Sequence, residues 1–131
     1  MTQTPLALIT GGAQGIGYAC AEALKEDGFD VILADINAEG VAEAGDKLGA
    51  VAAITCDMGD VSQIEAMFAR IAEDHGPLSA LVNNAGVAMP GDFLSYDLDS
   101  WERVIDINLR GVFLATQTAA RSMVENGIEG A

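Results

Sequence analysis

The sequence is poor in basic residues, cysteine, proline and aromatics, and it contains no long uninterrupted apolar run. Six Lys and Arg stand against twenty Asp and Glu in 131 residues, a formal charge of −14. A surface of that sign repels phosphate backbones and anionic lipid, which argues against nucleic acid and membranes as partners. Any phosphate-bearing ligand must then be held by local donors, because the global field opposes it. The two cysteines, Cys20 and Cys56, match no metal-ligand or redox-pair spacing. That excludes a disulfide scaffold, offers no metal site, and points to a reduced, cytoplasmic setting. The opening residues, Met1 to Pro5, carry neither a basic segment nor an apolar stretch, so no secretory signal is expected. Nothing approaches the ~20 apolar residues of a membrane span. Internal repeats and low-complexity tracts are missing too.

Apolar residues are plentiful, at 50% of the total, which excludes disorder. At 13.5 kDa, a compact monomer exposes roughly 6,500 Å² and buries about two-thirds of its unfolded surface, enough for a single domain with a real core.

Short apolar runs alternate with helical periodicity. Leu6–Thr10 reads as a buried parallel strand, Val31–Ala34 as a second apolar strand, and Val51–Cys56 and Leu78–Val82 as a third and fourth strand. Between them, Ile16, Cys20, Ala23 and Leu24 recur at helical spacing up to Gly28. Asn37 is placed to cap a helix stopped by Gly49, and Asp60 or Ser62 to cap one with Ile64, Met67, Phe68 and Ile71 on its apolar face. After a polar loop, Asp99 and Glu102 resemble a capping box that opens one long helix to about Gly127. Its expected apolar face is Trp101, Val104, Ile105, Leu109, Val112 and Phe113, with Trp101 anchored in the core. His75 is assigned a capping or surface role and the five methionines are core filler. Four strand–helix alternations imply an α/β, doubly wound, three-layer parallel sheet with strand order 3-2-1-4. Such folds usually add strands beyond the fourth, so the sequence reads as the first half of a larger protein, truncated before the later strands.

The loop Thr10-Gly11-Gly12-Ala13-Gln14-Gly15-Ile16-Gly17 joins the first strand to the first helix. Glycines let the backbone turn sharply and approach a ligand, and the helix N-terminus behind them offers free N–H groups and positive dipole to a pyrophosphate. Asp35 ends the second strand, where a carboxylate can accept both hydroxyl hydrogen bonds of an adenosine ribose and repel a 2′-phosphate. A like-charge pair at about 4 Å and an effective dielectric near 20 costs roughly 4 kcal/mol before screening. No Lys or Arg adjoins Asp35 to offset that, so NAD is expected over NADP. Asp57, after the third strand, can reach an adenine amino group. Asn83-Asn84-Ala85-Gly86, at the end of the fourth, suits backbone contact with a ribose.

Taken in order and spacing, Thr10-Gly11-x-x-x-Gly15-x-Gly17, Asp35, Asp57, Asn83-Asn84-Ala85-Gly86 and Asn108 resemble the short-chain dehydrogenase/reductase family. The resemblance runs over essentially the whole chain and matches the N-terminal half of a member of ordinary length. It implies a Rossmann-like fold, with residues 1–131 as the NAD-binding part of a single-domain enzyme. It also implies hydride transfer between an alcohol and a carbonyl, and a homo-oligomer at full length. By that resemblance Gly11, Gln14, Gly15 and Ile16 hold the pyrophosphate side, Asp35 the ribose, and Asp57 and Met58 the adenine. Asn84, Ala85 and Gly86 line the nicotinamide-side ribose, and Asn108 is the helix-kinking residue of the catalytic set that helps anchor a proton-relay water. The family's Ser and Tyr-x-x-x-Lys do not occur in this sequence: Tyr18 is followed four residues on by Glu22 and Tyr96 by Ser100. The 131 residues alone are therefore expected to be inactive. A non-catalytic NAD-binding module is the alternative. An S-adenosylmethionine methyltransferase is a more distant one, since its G-x-G-x-G loop is missing. An epimerase-like relative is disfavoured because Tyr18 stands where G-x-x-G-x-x-G needs its last glycine.

Overall fold

The computed structural model describes residues 3–131. Four parallel strands, β1 (Leu6–Thr10), β2 (Asp30–Asp35), β3 (Ala52–Thr55) and β4 (Ala80–Val82), form one sheet in the order β3-β2-β1-β4. Leu8 of β1 sits opposite Ile32 on one side and Leu81 on the other. All five β1 residues are buried, as expected of a central strand covered on both faces.

Alternate strand residues feed two cores. Ala7, Ile9, Val31 and Leu33 point toward α1 (Gly15–Glu26) and α2 (Ala38–Leu48), meeting Ala21, Val41 and Ala44. Leu6, Leu8, Ile32 and Ala34 point the other way, toward α3 (Val61–Asp74) and α5 (Val112–Glu125), meeting Ile64, Phe68, Ala115 and Ala119. The result is three layers. Local signals act where expected. The Asn37 side chain accepts from Gly40 N, Gly49 closes α2 in the left-handed conformation, and Asp60 rather than Ser62 caps α3 by accepting from Gln63 N. Ser62 instead donates its hydroxyl to Asp60 at 2.7 Å, which holds the Asp60 carboxyl below the ordinary carboxylate range.

The last third departs from the sequence reading. The cap before the fourth helix is Asp97, not Asp99: the Asp97 carboxylate accepts from both Ser100 N, at 2.9 Å, and Ser100 Oγ, at 2.6 Å. Asp99 is already the second residue of the helix, within its first turn, and not at the cap position. The single long helix is instead α4 (Leu98–Ile105), a π-helical stretch (Asp106–Gly111) and α5. Its apolar face is also different. Ile107, Gly111, Ala115 and Ala119, four residues apart, are the buried ones. A Cβ on Gly111 would strike the Met58 carbonyl, so this helix lies close to the 56–60 turn only because that side chain is missing. Trp101 is 52% exposed and Leu109 and Phe113 are each 62% exposed, so Trp101 is not a core anchor. Val112 and Leu114 are half-buried. At β4, Ala131 donates to Ser79 O at 3.1 Å and accepts from Leu81 N at 2.9 Å, lying along part of the outer edge. The surface totals 7745 Å², above the roughly 6,500 Å² of a compact monomer of this mass.

Candidate functional site

The carboxyl ends of all four strands open into one crevice of about 370 Å³. Its floor is the turn after β1. Gly11 and Gly15 have φ of 63° and 60°, the left-handed region that suits glycine. A Cβ on Gly15 would meet nothing within 4 Å, so packing leaves that position free and the backbone geometry alone demands glycine. Gly17 has the opposite reason. A Cβ there would strike the Gly11 carbonyl and the Asn84 amide, so α1 can begin this close to β4 only with glycine. Helices α2, α3 and α4 each have an Asn or Asp side chain capping the first turn. At α1 the cap position is Gln14, whose side chain makes no such bond, and the first turn carries no acidic residue. The first amides and positive dipole end of α1 are therefore not met by a capping side chain or a first-turn carboxylate, an arrangement that suits an anion.

Thr10 fastens the two lips together. Its buried hydroxyl donates to Val82 O at 3.3 Å and accepts from Asn84 N and Ala85 N, each at 3.1 Å. The Asn84 amide donates to Gly11 O at 3.0 Å, and Asn83 donates to Thr116 Oγ1 of α5 at 2.9 Å. Behind this lip Asn108 uses both ends of its amide on one residue, donating to Val87 O at 2.7 Å and accepting from Val87 N at 2.9 Å. Asn108 lies in the π-helical stretch, next to Gly86.

On the other side, Asp35 accepts from Ala13 N at 3.1 Å through Oδ2 and from Asn37 N at 3.0 Å through Oδ1. It ties the glycine turn to the end of β2 while lining the crevice. Asp57 accepts from Gly59 N and is gripped by both terminal nitrogens of Arg103 at 3.0 Å. Between β3 and Asp57, burial pushes the Cys56 thiol up to about 11, and the carboxylates of Asp57 and Asp60 add to the shift. Cys56 is therefore a neutral wall residue at physiological pH.

Gly11, Gln14, Gly15, Asp35, Asp57, Met58, Asn84, Ala85 and Gly86, singled out from sequence, line this one crevice. Ile16 does not. Its side chain is 76% exposed on the first turn of α1, outside the lining. Asn108 stands behind the lining rather than in it. The sequence reading missed Ile36, Cys56, Val87, Arg103 and Ile107. For Arg103 a signal existed, since a basic residue in so acidic a chain is scarce. A larger cavity of about 450 Å³, bordered by Phe93, Tyr96, Asp97, Leu98 and Trp101, is mostly apolar, and its one carboxylate, Asp97, is taken up in capping α4. Among the described residues no His, Cys, Asp and Glu cluster could hold a metal ion, and no helix is long and apolar enough to cross a membrane.

Comparison with known proteins gives the same picture. The family model described as short chain dehydrogenase matches residues 5–131. A D-threitol dehydrogenase of Mycolicibacterium smegmatis is 36% identical, over 93% of this chain and 48% of its own length. A 3alpha-hydroxysteroid dehydrogenase of Mediterraneibacter gnavus is 31% identical, over 97% of this chain and 53% of its own. Among solved structures, a blue fluorescent protein from a metagenomic library, in complex with NADPH, superposes with a TM-score of 0.83 at 34% identity. That match covers 90% of this chain and 51% of the other. The chain thus spans about half the length of the relatives it matches. With a parallel 3-2-1-4 sheet, a glycine turn at its switch point and this family match, the chain belongs to the short chain dehydrogenase family.

Proposed function

We propose that residues 1–131 form the NAD-binding Rossmann part of an oxidoreductase that moves hydride between an alcohol and a carbonyl. The observation that carries this is the single crevice framed by the Gly11–Gly15 turn, Asp35 and Asp57 on one side and by Asn84–Val87 on the other. The residues present fit a dinucleotide: the open space over Gly15 and the uncapped start of α1 suit its pyrophosphate, and two carboxylates suit its adenosine hydroxyl and amino donors. When bound, the nicotinamide supplies the hydride chemistry, and this chain's residues hold and orient it. Gly11, Gln14 and Gly15 serve the pyrophosphate together with the backbone amide of Ile16 in the first turn of α1, whose side chain stays outside the crevice. Asp35 serves the ribose, Asp57 and Met58 the adenine, and Asn84, Ala85 and Gly86 the second ribose. Asn108 fixes Val87 at the nicotinamide end and belongs to the proton-relay set.

Proton transfer in the transition state is typically worth 10²- to 10⁴-fold, and it needs a positioned acid or base. No Tyr-x-x-x-Lys occurs in the 131 residues, so this chain by itself binds cofactor without turning over. The substrate is a small alcohol or carbonyl compound, and the setting is cytoplasmic. Association between copies is favoured by the exposed Leu109 and Phe113.

Asp35 decides the cofactor. Its carboxylate lines the crevice, and the residues that follow, Ile36-Asn37-Ala38, offer no cation to receive a 2′-phosphate. Calorimetric titration should give tighter binding of NAD than of NADP, with the preference erased in Asp35→Ser and reversed in Asp35→Arg. A preference for NADP in the unsubstituted protein would remove Asp35 from the ribose.

A further inference from the structure

Arg103 belongs to none of the motifs that brought the crevice residues together, yet it is the one cationic side chain lining the crevice among the described residues. It reaches in from α4, 46 positions along the chain from Asp57, and grips that carboxylate in fork-on-fork geometry. Nη1 donates to Oδ2 and Nη2 to Oδ1, each at 3.0 Å. Gly59 N donates to Oδ1 as well, at 2.8 Å. An ionised carboxylate has about four lone-pair sites. Two on Oδ1 and one on Oδ2 are taken, which leaves one acceptor site, on Oδ2.

The turn carrying Asp57 cannot easily rearrange to change this. Arg110 donates to Gly59 O at 2.7 Å, and Gly111 lies against the Met58 carbonyl so closely that a side chain there would collide with it. Arg110 is itself steadied by Asp106 at 3.3 Å. Three contacts from the α4–π-helical segment therefore converge on residues 57–59. Arg103 is partly screened, with its side chain 37% exposed and that of Asp57 23% exposed.

We propose that Arg103 is a positioning residue for cofactor recognition: it fixes the Asp57 carboxylate with a single free acceptor site, so that the crevice selects a purine bearing a 6-amino donor over one bearing a 6-oxo group. The proposal rests on the reading of Asp57 as the adenine partner. With Arg103 in place, a 6-oxo oxygen meets a fixed acceptor and is repelled, whereas a 6-amino group completes the carboxylate's hydrogen bonding. Without Arg103 the carboxylate keeps only Gly59 N, on Oδ1. Oδ2 can then shift and recruit water to meet a 6-oxo group or its N1–H, and the two purines become more nearly equivalent. Lys in its place supplies a point charge without the planar fork and so restores part of the fixation.

The test is equilibrium binding of NAD and of nicotinamide hypoxanthine dinucleotide, which differ in the 6-substituent and, with it, in N1 (an acceptor in adenine, an N–H donor in hypoxanthine), to the protein and its Arg103 variants. The unsubstituted protein should favour NAD by roughly tenfold or more, the worth of a hydrogen bond to a charged group. In Arg103→Met the ratio should fall to about threefold or less, with Arg103→Lys between the two. In an Asp57→Asn background, Arg103→Met should leave the ratio where Asp57→Asn put it, because the two residues act as one unit. If Arg103→Met is too unstable for titration, the Lys variant and Arg103→Gln carry the same comparison. Equal weakening of both dinucleotides, with the ratio unchanged, would make Arg103 a structural tie only and overturn the proposal. Equal binding of the two by the unsubstituted protein would overturn it as well. Failure of the unsubstituted protein to bind either dinucleotide would instead sink the proposed function itself, and this inference with it.

Discussion

On the α1–α2 face of the sheet, large strand side chains meet the helices in the ordinary way: Ile9, Val31 and Leu33 are sealed under Ala21, Val41 and Ala44. The opposite face has two regimes. Helix α3 brings Ile64, Met67, Phe68 and Ile71 to the sheet, whereas the segment from Leu98 to Glu125 meets it through Ile107, Gly111, Ala115 and Ala119 and turns Leu109 and Phe113 to water. The difference is one of side-chain size. After Ile107 the buried residues are small, and at Gly111 this lets the helix come close to the turn after β3, the neighbourhood in which Arg103 meets Asp57 and Asn108 meets Val87. In this segment proximity to the crevice is gained and burial of large side chains is given up.

That contrast also explains how far the sequence could be read. The strands, the first three helices and most of the crevice follow from local signals: apolar runs of four to six residues, Asn37 and Asp60 as caps, and glycines where φ is positive. Strand order follows from alternation and connection rules. The last third fails for an identifiable reason. Hydrophobic periodicity finds the face richest in large apolar residues, and here that is not the buried face, because the constraint is the approach of one backbone to another. The π-helical stretch has no periodic signature of its own, and Asp97 and Asp99 are both plausible caps until Ser100 is seen bonded to Asp97. Scarcity of basic residues marks Arg103 but does not place it, because its contact with Asp57 links α4 to the turn after β3, 46 positions away.

The comparison can be broken most forcefully at the glycine turn. A β-branched residue at a φ of 60° is strained by about 1–3 kcal/mol, and its side chain would occupy the space over Gly15. Gly15→Val should weaken NAD binding at least about tenfold while circular dichroism shows the fold retained. Unchanged affinity would remove the phosphate-loop assignment. The small-residue strip comes next. Ala115 is fully buried, so Ala115→Leu should cost roughly 1–3 kcal/mol in chemical denaturation, the usual range for overpacking. A neutral result would mean that this helix does not lie close to the sheet.

Phe113→Glu, two positions away, should show the smallest effect. An exposed side chain is worth about 0.5 kcal/mol or less to the monomer. The substitution should shift any associated form toward monomer in sedimentation while leaving NAD affinity unchanged. A large loss of stability would place Phe113 in the core and contradict the assignment of the two faces.

Hydrogen exchange with and without NAD reads the crevice and the apolar cavity beside α4 in one experiment. Ligand contact and loss of local opening both slow amide exchange. If the crevice holds the dinucleotide, exchange slows at residues 11–17, 35–37, 56–59 and 84–87, with residues 91–101 unchanged. Protection confined to 91–101, or none in the glycine turn at saturating NAD, would contradict it.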